Sequence, residues 1–508
     1  MSFGNYINNH LASHCDLLSL RAGEEGKPNT SLTESIRTAP IFTAAAGIAV
    51  EGDETLANYT QFGLLGEQME MIDPVSGSNT PLPATEEDGM ADGRLFLNSN
   101  SPCSAFICGV QGSGKSNSLS CMLENFLLLD PQLGLLPGPL TGLVFHYDQH
   151  TIMPCEAAYL VSHVPVTVLV PPSSLAHAKQ KYSEIPGAEQ RLSIRALRFK
   201  EKDLNVSRML TLMAVDRTDD KPPLYMEVVR KILRSMATSG GGFVYQKFKK
   251  ILDGEDLSPG QRSPLNLRLE ILESFMALKL GEIQQAKWDV SPGHLTVIDL
   301  SDPFVDEATA CSLFEICLNL FLDCPVKYGR VVAVDEAHKY MSGTPSAMKF
   351  TETLLSTIRL QRHLGTRVLI STQEPTISGK LLDLCNFTLV HRFNSPEWLT
   401  FLKAHLAAAG QEDRVGLMAR IVELDSGEAF LFAPSAITVP DHGTVGLESG
   451  GAESDSGCSG SKGIPNGTGQ TGAGNGEAKV CKFGLRYMRV KIRKRITADG
   501  GKSVLAVE

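Results

Sequence analysis

What the 508-residue chain lacks narrows its function first. No apolar stretch approaches the roughly 20 residues that span a bilayer, and the start, Met1-Ser-Phe-Gly-Asn-Tyr6, has no basic region followed by an apolar one. Neither a membrane contact nor a secretory leader is expected, and the chain reads as intracellular, cytoplasmic or nuclear. Positive charge is not in excess: 47 Lys and Arg stand against 57 Asp and Glu, for a net charge of −10. That excludes a protein that coats nucleic acid by bulk electrostatics, so any contact with DNA or RNA has to come from a local patch. The eleven cysteines are odd in number, never fall as C-x-x-C, and sit mostly in apolar runs, as at Cys108, Cys311, Cys317 and Cys385. They read as buried reduced thiols, with no zinc knuckle and no disulfide framework.

What is present centres on Cys103-Ser-Ala-Phe-Ile-Cys-Gly-Val-Gln-Gly-Ser-Gly-Lys-Ser116, an apolar strand that runs into G-x-x-x-x-G-K-S and then into an apolar helix over residues 119–129. That context is the one a phosphate-binding loop requires. Gly109, Gly112 and Gly114 let the backbone turn tightly and bring its N–H groups onto a polyphosphate at the positive end of the helix. Lys115 is placed between the outer phosphates, and the Ser116 hydroxyl on a magnesium ion. Gln111, Ser113 and Asn117 complete the expected nucleotide-binding set. A glycine turn that only joined a strand to a helix would need neither the lysine nor the serine.

Along the chain, residues 1–95 are rich in Gly, Thr, Asn, Glu and Pro, show no sustained period of 2 or 3.6, and read as a partly ordered, flexible leader. Short apolar strands follow the loop helix at 142–148 and 164–170. From about 200 to 285 the spacing turns helical, as in Met226, Val229, Leu233 and Met236, which predicts an all-helical insertion. Strand and helix then alternate through residues 294–300, 330–336, 366–373, 387–393 and 428–432. The pattern predicts an α/β fold with a mostly parallel sheet covered on both faces, over residues 96–437. Residues 438–480 read as a flexible Gly/Ser-rich linker and 481–508 as a C-terminal basic strand segment. Its charges at Arg489, Lys491 and Arg493 fit either a phosphate or acidic surface, or an edge strand guarded by charge.

Residues 330–336, Arg-Val-Val-Ala-Val-Asp-Glu, form a hydrophobic strand that ends in two carboxylates. Asp335 is expected in the outer sphere of the magnesium beside Ser116, and Glu336 as the group that polarises attacking water. A glutamate there points to a hydrolase, since a nucleotide kinase needs its acceptor's hydroxyl in that place. Gln373, or else Thr372, is the polar tip of the next strand, able to touch both the γ-phosphate and the water. Arg359 and Arg362 lie on the preceding helix, where an arginine reaches a neighbouring subunit's nucleotide or simply faces solvent. Asp148 and Asp299 end strands and read as satisfied carboxylates.

Asp335-Glu-Ala-His338, Arg362-x-x-Gly365, Gln373-Glu-Pro375, residues 386–392 and Leu424-Asp-Ser-Gly-Glu428 together resemble the HerA/FtsK division of P-loop ATPases, over roughly residues 95–435. The division includes DNA-pumping and conjugation motors. The resemblance implies a RecA-like P-loop NTPase core, ATP and Mg2+ as cofactors, and hydrolysis in a homo-oligomeric ring, possibly a hexamer, with Arg362 acting on the next subunit. It further implies a polymer substrate, double-stranded DNA or a protein polymer. The division's N-terminal β-barrel has no counterpart in the pattern of residues 1–95, and Gln373-Glu-Pro replaces its more usual Gln-Arg-Pro. Asp335-Glu-Ala-His338 also spells a helicase box, but the arginine motif of that class belongs to a second RecA-like domain, and here it lies only a helix away. The reading from another class is a nucleotide-dependent switch or scaffold with slow or no hydrolysis and a protein partner.

Overall fold

A computed structural model of the chain describes residues 30–51, 59–81, 92–149, 153–204, 208–209, 224–238, 243–279, 281–282, 288–341, 343–440 and 480–500. Four strands precede the phosphate loop: β1 (Ile41–Thr43), β2 (Phe62–Asp73), β3 (Ser78–Pro81) and β4 (Arg94–Leu97). β5 (Ser104–Cys108) enters the loop, and β6 (Gly134–Leu135), β7 (Thr141–His146), β8 (Val166–Val170) and β9 (Leu192–Ala196) follow it. After the helical stretch come β10 (Leu295–Asp299), β11 (Arg330–Val334), β12 (Thr366–Thr372) and β13 (Phe387–Val390). The last four are β14 (Glu428–Phe432), β15 (Ile437–Thr438), β16 (Cys481–Lys482) and β17 (Tyr487–Ile492).

Strands β9, β8, β10, β7, β11, β12, β5 and β13 lie side by side in that order, all parallel. The apolar runs that predict these strands lack strict alternation because both faces are buried. Along β11 and β12, Val332, Val334, Val368 and Ile370 enter one core, and Val331, Ala333 and Leu369 the other. The helix Lys115–Leu127 covers the second face with Leu119, Met122 and Phe126. The helices Glu307–Asp323 and Pro345–Arg359 cover the first with Phe314 and Phe350. The stretch of helical spacing holds the helices Leu224–Thr238, Tyr245–Asp253 and Pro259–Ser274, whose Met226, Leu233, Phe248 and Leu272 join that first core. The protein is thus α/β, with the mostly parallel sheet that the alternation predicts. β12 stands between the loop strand β5 and the acidic strand β11, with Thr372 level with Cys108 and Ile370 level with Val334. This order brings the tips of all three strands to one edge.

Residues 1–29 lie outside the described residues, as do 441–479 of the stretch read as a linker. From Thr30 onward, however, the segment read as a leader is built into the sheet. β2 pairs antiparallel with β17 and β4, β4 with β1, and β1 runs parallel to β15. β14 pairs with β17 and continues through residues 433–436 into β15, so the two ends of this run of pairings are joined by the chain itself. Phe42 stacks on Tyr59 at 3.8 Å and meets Phe62 and Phe96 within 5.9 Å. β1, β3 and β4, of three or four residues, are too short to display a period, and β1 and β2 each find a partner some 400 positions away, in β15 and β17.

For the basic stretch both expectations give way. β17 is no edge strand, since β14 and β2 flank it. Its charges face glutamates of this same chain: Arg489 lies 2.7 Å from Glu428, Arg493 lies 2.6 Å from Glu124, and Arg495 pairs with Glu156.

Candidate functional site

The loop between β5 and the helix Lys115–Leu127 owes its shape to glycine. Gly109, Gly112 and Gly114 all have positive φ, and a Cβ on Gly114 would come within 2.9 Å of the Gly427 backbone. Gly114 is the N-cap of the helix and no side chain caps it, so the first N–H groups of the helix keep their hydrogen bonds for an anion. The loop is braced from the other side by residues 425–428. The Gly427 N–H donates to the Ser113 carbonyl at 3.0 Å, and the Ser426 hydroxyl to the Gly112 carbonyl at 3.2 Å.

Beneath the loop lies His391, wholly buried. Its Nδ1 donates to the Glu428 carbonyl at 2.7 Å, and its Nε2 meets the Ser118 hydroxyl at 2.9 Å. Burial first, and Lys115 nearby, press its pKa down to about 4, so the ring is neutral and fixed as one tautomer. Residues 386–392 enter the sequence reading only as part of a family pattern; a histidine at the end of an apolar strand carries no sign that it props a loop.

Lys115 is 4% exposed, and its Nζ donates to the Val110 carbonyl at 3.0 Å. Burial lowers its pKa, while Glu336 and Asp335 hold it up. Asp335, at the tip of β11, receives a contact from His146 Nδ1 at 3.3 Å on Oδ2, whereas its Oδ1 is buried with no hydrogen-bond partner. A buried carboxylate oxygen without a partner, on a residue whose charge is felt by Lys115 of the loop, fits a magnesium-bound triphosphate. Ser116, half-buried at the start of the helix, is the other expected ligand.

Glu336 is the one non-glycine residue with positive φ among the described residues, at 50°. Such backbone costs roughly 1–3 kcal/mol and persists where its surroundings impose it. Its Oε2 lies 3.4 Å from Gln373 Nε2 and 3.4 Å from His338 Nδ1, and the Gln373 N–H donates to His338 Nδ1 at 3.3 Å. Burial above all, then the neighbouring Asp335, raises the Glu336 pKa, and Lys115 and Lys339 offset part of that rise. His338 is pushed down to about 4 by burial and by Lys339 and Lys115, so its ring is neutral, and Nδ1 accepts the Gln373 N–H.

Of the two expected strand-tip residues, Gln373 is the one that reaches Glu336. The Thr372 hydroxyl is spent on the Glu374 carbonyl at 2.9 Å. Asn117 turns away from the loop and donates to the Arg493 carbonyl at 3.2 Å, while Gln111 is exposed at the loop tip. Asp148 pairs with Lys339 at 2.7 Å, and Asp299 accepts the Tyr182 hydroxyl at 2.6 Å. Arg362 and Arg359 are exposed, before the first residue of β12, whereas Gln373 follows its last. Seven strand residues at about 3.3 Å each separate Arg362 from this site.

No protein-family model matches the chain, and no curated protein does. Among solved structures it is similar to VirB4 of Thermoanaerobacter pseudethanolicus, 12% identical over 74% of this chain and 95% of that one, with a TM-score of 0.42. It is also similar to the plasmid coupling protein TrwB in complex with ADP and Mg2+, 13% identical over 74% and 93%, with a TM-score of 0.40. A third is the genome packaging NTPase B204 from Sulfolobus turreted icosahedral virus 2, 13% identical over 27% and 62%, with a TM-score of 0.18. What the site does has to follow from its own geometry.

Proposed function

We propose that the chain binds ATP with Mg2+ and hydrolyses it, working in a homo-oligomeric ring to move a polymer, double-stranded DNA in the first instance. The observation that carries the hydrolytic reading is the junction of Glu336 with Gln373 at 3.4 Å, beside Asp335 and across from Lys115. Backbone N–H groups of residues 109–116 and the Lys115 ammonium hold the triphosphate; Ser116 and Asp335 hold the magnesium, which neutralises charge on the phosphates. Glu336, its carboxyl made more basic by burial, accepts the proton of the attacking water, and Gln373 orients that water and the carboxylate together. Since Arg362 sits at the far end of β12, its role in turnover is toward a neighbouring copy, and a ring is the arrangement that supplies one. The DNA substrate rests on the HerA/FtsK-like order of short motifs.

The test is ATP turnover with and without double-stranded DNA, with the assembly state recorded alongside. Glu336→Gln is expected to keep ATP binding while turnover falls about 10²–10⁴-fold. Lys115→Ala loses both. Wild-type turnover in Glu336→Gln removes the hydrolytic role, and a monomer indifferent to DNA removes the motor.

A further inference from the structure

Beside the tip of the acidic strand, away from the loop, three side chains of unlike chemistry converge. His146 ends β7, the neighbour of β11; Cys155 precedes the turn of helix Glu156–Ser162; Asp335 follows β11. One ligand atom from each lies within 4.8 Å of the others, and all three residues are 9% exposed or less. The 3.3 Å between His146 Nδ1 and Asp335 Oδ2 is about the separation of two ligands that each stand about 2.0 Å from a tetrahedral zinc ion. Asp335 Oδ1 is buried and unbonded, so this carboxylate has capacity left on both sides. Cys155 is itself held in place: its N–H donates to the Tyr182 hydroxyl at 3.0 Å, and that hydroxyl donates to Asp299. Imidazole and thiol are poor ligands for magnesium and good ones for zinc-like cations.

We propose that His146, Cys155 and Asp335 form a binding site for a soft divalent cation of the zinc type, and that its occupation stops ATP turnover by engaging the aspartate that serves magnesium. On binding, the thiol gives its proton to solvent and ligates as thiolate, His146 gives up the Nδ1 proton that faces Asp335 and ligates through that nitrogen as the neutral ring, and water fills the fourth position. A divalent charge on Asp335 Oδ2 withdraws the electron density that the neighbouring oxygen offers toward the nucleotide. The inhibitory half rests on the hydrolase reading above; the binding half does not.

The two halves separate in one experiment on the full-length chain, stripped of metal. Co2+ is titrated without nucleotide and thiolate-to-cobalt charge-transfer absorption is followed; then Zn2+ is added to turnover assays with Mg-ATP. The expected result is one equivalent of Co2+ with a thiolate band, displaced by Zn2+ and lost in Cys155→Ala. One equivalent of Zn2+ stops wild-type turnover, while Cys155→Ala turns over at the wild-type rate and is no longer inhibited. Absence of the band in wild type overturns the site whether or not the variant folds, and so does an undiminished band in Cys155→Ala. Equal Zn2+ inhibition of both proteins overturns the inhibitory half. A chain that shows the Cys155-dependent band but no ATP turnover at all keeps the site and discards the hydrolase.

Discussion

Two glutamates, Glu124 fully buried and Glu336 half-buried, mark the difference between the part of this molecule that holds and the part proposed to act. Glu124, on the outer side of the loop helix, has every lone pair engaged: Arg493 at 2.6 Å, the N–H groups of Ile496 and Thr497 at 3.0 and 2.9 Å, and the Thr497 hydroxyl at 2.6 Å. Burial raises its pKa, but Thr497 and Arg493 outweigh that and leave it below the ordinary 4.5. Glu336 keeps 18% of its side chain exposed, its contacts with Gln373 and His338 are long, at 3.4 Å, and desolvation with Asp335 leaves its pKa raised. The same side chain is thus a brace where it is closed off with its bonds complete, and the proposed base where it is neither. The same contrast separates Arg493, closed on Glu124, from Lys115, which meets only a carbonyl of its own loop.

The sharpest test of this contrast is Arg362, which belongs to neither region in its own subunit. Arg362→Ala should lower turnover about 10³–10⁵-fold with the urea midpoint unchanged. Mixing it with Lys115→Ala protein should restore part of the turnover by pairing an intact loop with an intact arginine. If no mixture recovers any rate, Arg362 does not act across subunits. Next in size is one exchange made at both glutamates. Glu336→Gln should lower turnover about 10²–10⁴-fold and spare stability, whereas Glu124→Gln strips a buried arginine of its partner and should cost about 3–5 kcal/mol in urea unfolding. Equal stability losses in the two variants would erase the distinction.

Acid should then separate the regions by pH. Glu124, depressed in the folded state, contributes stability that is fully present above 4.5 and is lost as pH falls through its folded pKa. Glu336, raised in the folded state, contributes in the opposite sense: its share is present below 4.5 and disappears as pH rises through its folded pKa. As a base it must be ionised, so turnover is expected to fall with acid at a pH above 4.5, before the stability held by Glu124 declines. A pH–rate profile whose acid limb sits at or below 4.5 would contradict that assignment. The smallest effect belongs to Lys491, 3.6 Å from Glu428 with a side chain 44% exposed. Lys491→Ala should shift unfolding by about 0–1 kcal/mol, in contrast to Arg493 just past the end of the same strand.

The phosphate loop, the acidic strand and the alternation of strand and helix are legible in sequence because each is written in consecutive residues: glycines where the backbone must turn, apolar runs where both faces are buried, a carboxylate at a strand end. Gln373 over Thr372 is a different matter, since both end the same strand and only the Glu374 carbonyl decides which one is spent. His391 and residues 425–428 brace the loop through contacts that adjacent residues do not announce. The basic strand looked like a surface because a run of lysine and arginine shows its charge and not its partners.

The sequence by itself pointed to a nucleotide site and to the strand tips that would build it, since those are matters of local backbone shape and of side-chain type. Only the tertiary structure decided that β1, β2 and β4 pair with one another and with β15 and β17, with the Arg493 guanidinium on the Leu64 carbonyl 429 positions away. It also decided that Arg362 lies a strand's length from its own loop, and that His146 and Cys155 stand beside Asp335. Those outcomes depend on which distant segments pair, and pairing between distant segments is set by the packing of the whole sheet, with no period in either segment to announce it.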